Sequence, residues 1–276
     1  MYYRFSIILT IILIVFAFPL ISIASGETTP IGSRSAGMGR SSVAITDFWG
    51  VMNNQAGIAL ITKPVVGIYY ENRFLLNQLS TKSIAGMWPT KYGVIAASYN
   101  HFGYKLYNNQ KIGITYARAY SRKLRIGLQL DYIQTTLGNN YGSKGNVTFE
   151  LGIQSDITDK VTIGAWVFNP IMVKLAEYDD EKLPAVIRLG MAWHISETFL
   201  ATLEAEKNTS INPITFRGGL EYKLKNRFFF RTGFSTRKEI FSFGFGIYIK
   251  QLTFNISAIM HESLGFSPQS SLIFHF

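Results

Sequence analysis

Charged side chains recur at alternate positions of several apolar stretches between residues 125 and 231. In residues 214–224, Arg217, Glu221 and Lys223 share one face of a period-two pattern whose other face is apolar. The full set of such residues is Arg125, Asp131, Glu150, Arg188, Arg217, Glu221, Lys223 and Arg231. Residues of both signs could pair and stabilise a wall, or they could line a path for a polar ligand. The pattern favours ion pairs and leaves the ligand path open.

Histidines and loop carboxylates are the other residues that could do chemistry. The histidines are His101, His194, His261 and His275. None of them has a neighbour at metal-ligand spacing. One predicted loop carries Glu177, Asp179, Asp180 and Glu181. These acids could bind a divalent cation, although a solvated acidic loop is the favoured interpretation. No Ser-His-Asp set falls on one predicted face, so we expect no enzyme activity, no cofactor and no metal site.

The element that positions the charged residues is a long, two-faced strand. In residues 241–249 every second residue is Phe or Ile, and Ser, Gly and Tyr lie between them. About fourteen such stretches follow Val65, most of about 9 to 12 residues, whereas strands of globular proteins average about five or six. A backbone that spans lipid as strands must close into a barrel to pair its N–H and C=O groups. The chain is therefore predicted to be all-β, a transmembrane antiparallel β-barrel of about fourteen strands.

The predicted connections between these strands alternate in length. Every second one is a tight turn, for example residues 89–93, whereas those between them are longer, such as 100–110, 169–184 and 261–269. Short periplasmic turns, longer external loops and an even strand number are typical of outer-membrane barrels. Aromatic residues near strand ends suit an interfacial girdle; they are Tyr99, Tyr116, Tyr132, Trp193, Tyr222 and Tyr248. We therefore expect residues 64–276 to form a barrel in the bacterial outer membrane, with both termini in the periplasm.

Composition and the first residues indicate an exported protein. Only 16% of the residues are charged, whereas soluble domains have about a quarter. The chain has no cysteine, which excludes disulfides and thiolate metal sites. Residues 1–25 combine Arg4, a long apolar run and a small-residue exit, which is typical of a cleaved signal peptide; an uncleaved anchor is the alternative. The net charge of +10 favours contact with outer-membrane lipid and lipopolysaccharide over nucleic acid, and dispersed solvated charge is equally consistent with it.

Residues 26–63 differ from the barrel region that follows them. They are rich in Gly, Ala and Ser, carry little charge, and fit neither a strand period nor an amphipathic helix. The inward face of the predicted barrel holds many glycines, and a strand glycine can mark a place where another backbone approaches closely. We therefore predict that residues 26–63 form a plug, or hatch, inside the barrel.

The same segment resembles the N-terminal signature of FadL-like outer-membrane proteins, above all the PorV/PorQ group of Bacteroidetes-type bacteria. That pattern is roughly Gly-x-Arg-x-Ala-Gly-Met-Gly, then Val-Ala-x-x-Asp, then Asn-Pro-Ala-Gly-Leu. The matching residues are Gly32, Arg34, Ala36, Gly37, Met38, Gly39, Val43, Ala44, Asp47, Asn54, Ala56 and Gly57. Gln55 stands where the family has Pro, and Ile58 where it has Leu. The resemblance implies a hatch within a fourteen-stranded barrel.

The C-terminal stretch carries a second resemblance. Leu272, Phe274 and Phe276 share one face of the last predicted strand. The stretch is similar to the terminal signal that the barrel-assembly machinery recognises, which would make that machinery a partner.

The resemblance implies two possible activities. PorV-like members work with the type IX secretion system, so the first expectation is a non-catalytic accessory of a secretion or assembly complex that binds a larger translocon barrel. FadL-like proteins pass hydrophobic molecules through the wall, so the alternative is passive transport of hydrophobic or amphipathic small molecules. A surface enzyme or adhesin is a third class.

Overall fold

A computed structural model describes residues 29–121, 123–138, 142–173, 182–237 and 240–276. These residues form a closed barrel of fourteen strands, in which each strand pairs antiparallel with its neighbours in the sequence and the last pairs back with the first. The predicted fold class and strand number are therefore confirmed.

The strands are β1 (Val65–Asn72), β2 (Ser80–Thr90), β3 (Gly93–Tyr104), β4 (Tyr107–Ala119), β5 (Leu124–Leu137), β6 (Gly142–Thr158), β7 (Val161–Phe168), β8 (Val186–His194), β9 (Phe199–Asn208), β10 (Ile211–Leu224), β11 (Phe228–Ser235), β12 (Ile240–Ile249), β13 (Leu252–His261) and β14 (Gly265–His275). Two predicted features lie outside the described residues, namely the signal peptide of residues 1–25 and the acidic cluster from Glu177 to Glu181.

The period of two in the sequence separates two faces of the wall. On β5, Leu130 is 59% exposed on the outer face, whereas its neighbour Asp131 is 1% exposed on the inner face. The same alternation runs along the other strands and gives the barrel an apolar outer belt and a polar interior. An inward position avoids the cost, about 2–4 kcal/mol, of placing a cation against lipid at mid-membrane.

The two rims of the barrel differ, as the connection lengths predict. Val65 pairs with His275 at one rim, here called the terminal rim, which also holds the tight turns such as the one between Thr90 and Gly93. The opposite, distal rim holds the two longest connections, which join β1 to β2 and β7 to β8.

The prediction of long loops is wrong at two places. Residues 100–110 are almost entirely strand, because β3 and β4 continue until Tyr104 pairs with Tyr107. Residues 261–269 likewise contain the end of β13 and the start of β14, which pair as His261 with Gly265. The outer face of β3 and β4 carries His101 and Gln110 there in place of apolar residues, so the alternation that marks a strand is lost in the sequence. Residues 262–264 are the turn between the paired ends of β13 and β14, and the prediction extended that turn into both strands.

Residues 29–61 lie inside the barrel and are called the inner segment below. They form two short helices, α1 (Ser33–Gly37) and α2 (Gly50–Asn53), followed by a 3₁₀ turn over Gln55–Ile58. Among the described residues no helix is long and apolar enough to cross a membrane.

The last strand closes the barrel. Phe274 lies opposite Val66 on β1 and Leu252 on β13, and the Phe276 N–H donates to the Pro64 carbonyl at 3.1 Å. Leu272 and Phe276 are exposed on the outer face, in keeping with their alternation. Recognition of these residues by the assembly machinery stays a prediction.

Candidate functional site

The inner segment lies against a row of inward glycines on seven strands. The row comprises Gly127, Gly152, Gly164, Gly190, Gly219, Gly233 and Gly244. A Cβ at Gly233 would lie 2.1 Å from the Gly39 nitrogen, and one at Gly164 would lie 2.2 Å from the Val43 carbonyl oxygen. Both distances are shorter than any van der Waals contact. The inward glycines of β5–β12 therefore form a track, called the glycine track below, that admits the backbone of the inner segment.

The motif residues of the inner segment meet this track directly. Gly37 packs on Gly244, and Met38, which is fully buried, packs on Gly219. Gly39 has a φ of 66°, and its N–H donates to Ser242 Oγ at 2.9 Å. A side chain at Gly39 would meet the Phe234 carbonyl oxygen at 2.3 Å, so both conformation and space require glycine there.

The second half of the motif is held by side-chain amides. Asn54 accepts from the Ala56 N–H at 3.1 Å and donates to the Val43 carbonyl at 2.6 Å. Ala56 is fully buried, and Gly57 lies close to the Ile45 carbonyl oxygen. Gln154 of β6 donates to the carbonyls of Val43 and Ile45, both at 3.1 Å. The sequence predicts that Gln154 faces inward, but it does not predict that this side chain binds the backbone of the inner segment.

Gln55, which stands in place of the family's Pro, makes a contact that Pro could not make. Its side-chain amide donates to the Glu150 carboxylate, which also accepts from the Trp166 indole N–H at 3.0 Å. Lys111 of β4 pairs with the same carboxylate and lies 3.8 Å from Asp131. Glu150 is thus surrounded by donors although it is fully buried.

Glu221 of β10 binds the inner segment through Arg34. The guanidinium donates from Nε to Oε2 at 2.9 Å and from Nη2 to Oε1 at 2.7 Å, which is a bidentate pair. Arg231 donates to the same carboxylate at 2.6 Å. Arg34 also lies 3.6 Å from Asp47. Burial raises the pKa of Asp47 above its ordinary value, and Arg34 opposes that shift.

Glu204 of β9 binds the backbone of the inner segment. One of its oxygens accepts from the N–H groups of Ser42 and Val43, at 2.7 and 2.8 Å. The other accepts from Arg217 at 2.7 Å. Behind it, Arg188 donates to Glu206 at 2.6 Å and stacks over the Trp166 ring at 4.4 Å. This carboxylate therefore joins the inner segment to an ion-pair network of three strands.

A further carboxylate was missed by the sequence analysis. Glu71 of β1 is fully buried and pairs with Arg40 of the inner segment at 2.5 Å. Arg73 and Tyr69 also donate to it, at 3.3 and 3.1 Å. The available signals were the inward position of Glu71 and the Arg that follows the Gly-Met-Gly motif, but no spacing rule joins them.

Two of the predicted lumen charges lie close to the terminal rim. Arg125 pairs with Asp156 at 2.5 Å, and Thr162 donates to the same carboxylate at 2.7 Å. Lys223 is partly exposed near the end of β10. The residues of the predicted set lie on the inner face, and Lys223 is the most exposed of them. A ligand role for any of them stays a prediction.

Apart from the Arg40–Glu71 pair with β1, the opposite side of the inner segment is apolar. Its Ile31, Phe48, Trp49, Val51, Met52 and Ile58 form one buried cluster with the wall residues Val65, Tyr69, Ala85, Met87, Val94, Ala96, Ala117 and Ile273. These wall residues come from β1–β4 and β14, and three of them are alanines. We call this contact the apolar seam.

The histidines do not converge. His194 and His275 lie at the terminal rim, His261 at the distal end of β13, and His101 on the outer face of β3. Within the described ranges no three His, Cys, Asp or Glu side chains are grouped so that they could hold a metal ion.

No protein-family model matches the chain, and no protein of curated function does so. Solved structures do match. The Pseudomonas putida toluene transporter TodX superposes with a TM-score of 0.68 at 12% identity, over 91% of this chain and 99% of that one. The Ralstonia pickettii toluene transporter TbuX gives 0.64 at 12% identity, over 90% and 98%.

A Pseudomonas aeruginosa FadL homologue gives a TM-score of 0.59 at 12% identity, over 92% of this chain and 97% of that one. The fold is that of FadL-type outer-membrane barrels. The FadL-like architecture predicted from the N-terminal motif is thus confirmed. The narrower PorV/PorQ likeness rests on the motif residues alone.

Proposed function

We propose that this protein is a passive channel for hydrophobic or amphipathic small molecules across the outer membrane, with the inner segment as its hatch. The fold of hydrocarbon transporters supports this reading more strongly than the secretion-accessory role. The described site offers ion pairs and packed glycines, which are suited to holding a segment in place. We assign the lumen charges to the wall and to the attachment of the hatch, and propose no catalysis.

The main support for the proposal is that the hatch is attached to the wall by polar bonds on one side and by apolar contacts on the other. On the side of β6–β12 it is joined to the wall by hydrogen bonds and ion pairs with Glu150, Glu204 and Glu221. On the side of β2–β4 it meets apolar side chains, including Ala85, Ala96 and Ala117. An apolar contact has no directional bonds to break, and a hydrophobic solute can replace it with contacts of the same kind. We therefore place the route of the solute along the apolar seam.

A pair of adjacent alanines tests this route. Ala96 lies in the seam and is 1% exposed, whereas Ala97 points to the outer face of the same strand. Ala96→Leu should slow uptake of a labelled monoaromatic hydrocarbon by cells that express the protein, because it fills the seam at a cost of about 1–3 kcal/mol. Ala97→Leu is the matched control and should not change uptake. Trp49→Ala should increase uptake, because it removes a large seam side chain.

The outcomes separate the route from the function. If Ala96→Leu and Ala97→Leu behave alike while the wild-type protein transports, the seam is not the route. If cells with the wild-type protein take up no more solute than cells without it, the channel function itself is wrong. Folding of each variant is checked by its electrophoretic shift on heating.

The second candidate is the accessory role in a secretion complex. The motif from Gly32 to Gly57 favours it through its likeness to PorV/PorQ proteins. Cross-linking of a tagged chain in its own outer membrane, followed by mild-detergent purification, tests it. A stoichiometric larger barrel would support this role, whereas a chain that purifies alone and a deletion strain with unchanged surface proteins would oppose it.

A further inference from the structure

The edge of the apolar belt that faces the distal rim differs in polarity around the barrel. Toward the distal rim the outer face of β10 and β12–β14 carries large apolar residues, namely Phe216, Phe241, Met260 and Phe266. At a similar distance from the terminal rim, the outer face of β2–β4 carries Lys82, His101 and Gln110. The belt is therefore interrupted on one side by polar residues that point toward the membrane.

The strand register brings these three residues together. Lys82 lies directly opposite His101, and His101 lies directly opposite Gln110. Side chains in such positions have Cβ atoms about 4.5–5.5 Å apart. The amide of Gln110 is fixed, because its oxygen accepts from Tyr99 Oη at 3.0 Å and its nitrogen donates to Asn108 at 3.1 Å. We call Lys82, His101 and Gln110 the polar notch.

The surface next to the notch is apolar and exposed. Ile84 and Ile112 flank Tyr99 in the adjacent row, and Ile114 follows toward the terminal rim. The ammonium of Lys82 is thus placed beside a hydrocarbon surface that is continuous with the belt. A soluble partner could satisfy the cation but would not cover the apolar belt beneath it, whereas a lipid presents an anionic head and apolar chains together.

We propose that the polar notch binds the phosphate group of a membrane lipid whose acyl chains lie over Ile84, Ile112 and Ile114. The phosphate oxygens would accept charge-assisted hydrogen bonds from Lys82, with His101 as a second donor. A lysine is a strong phosphate binder as a point charge and reaches toward the headgroups along its flexible stem. This assignment does not depend on the transported solute.

Two ligands with the same acyl chains test the proposal. The purified barrel is incubated in detergent with phosphatidic acid or with diacylglycerol, and retained lipid is counted by native mass spectrometry. The wild-type protein should retain phosphatidic acid and not diacylglycerol. The double variant Lys82→Ala, His101→Ala should retain at least about tenfold less, because it loses both donors and one charge-assisted hydrogen bond alone accounts for about that factor. Lys207→Ala is the matched control, because Lys207 is an exposed outward lysine on β9.

Each other outcome overturns the proposal. Equal retention of both lipids by the wild-type protein would mean that the apolar belt alone holds them. Unchanged retention of phosphatidic acid by the double variant would place the phosphate elsewhere. Displacement of phosphatidic acid by an equal concentration of inorganic phosphate would mean that the notch is a site for the free anion and not for a lipid.

Discussion

The two sides of the inner segment are held by different physics. On the glycine track the backbone lies so close to the wall that no side chain fits between them, and buried carboxylates bind its N–H groups and Arg34. On the apolar seam the contact is made by Phe48, Trp49, Met52 and small wall residues. The contact with the glycine track requires a defined position of each backbone atom of the inner segment. The contact with the apolar seam requires only that the side chains be apolar.

Only the apolar seam can be displaced at a low cost in free energy. A buried ion pair that loses one partner leaves an uncompensated charge, at a cost of about 3–5 kcal/mol. An apolar contact that is replaced by an apolar solute loses little, because the area removed from water stays the same. The track therefore anchors the hatch, and the seam is the side on which a solute can pass.

The largest expected effect comes from the track itself. Gly233→Val would place a branched side chain where the Gly39 nitrogen lies, so the inner segment must leave its position. We expect a variant whose barrel is intact, whose inner segment is cut by protease, and whose conductance in planar bilayers is raised. Thr232→Val is the control, because Thr232 is the outward neighbour of the same strand. If the two variants conduct alike, the glycine track does not seat the segment.

A smaller loss should follow from a change to one carboxylate. Glu204→Gln keeps the shape but removes the charge that faces Arg217 and the Ser42 and Val43 N–H groups. We expect the free energy of unfolding to fall by about 3 kcal/mol, as for a broken buried pair. Urea titration in detergent measures it against Glu197→Gln, a change in an exposed turn that should be neutral within about 0.5 kcal/mol. Equal losses would contradict the anchoring role of Glu204.

The fold was predictable because lipid imposes one rule on the outer face of every strand. Alternation of apolar with polar residues located the strands, their number and the inward position of Glu221 or Arg188. The rule fails where polar residues occupy the outer face, as His101 and Gln110 do, which is why the paired ends of β3 and β4 were predicted as loop. For the site, the sequence predicted that inward charges form ion pairs, but not which residues are the partners. Glu71 and Arg40 meet because the inner segment passes β1, and neither sequence position carries that information.

Gln55 is one of the two departures from the FadL-like motif, the other being Ile58, and its replacement should have the smallest cost. Asn54 has φ −158° and ψ 106°, the extended conformation that a following proline favours, and Gln55 opens a 3₁₀ turn. Gln55→Pro should therefore fit the backbone and remove the side-chain hydrogen bond to Glu150 together with the longer one, at 3.4 Å, to the Val51 carbonyl. The free energy of unfolding should fall by about 1–3 kcal/mol, the cost of a lost partner for a buried acceptor, and Gln55→Ala should cost the same.

A larger loss for proline than for alanine would show that the turn itself has diverged from the motif. Equal losses would mean that this chain has kept the backbone of the motif and added an anchor to the track side of the hatch, which makes the contrast with the apolar seam stronger.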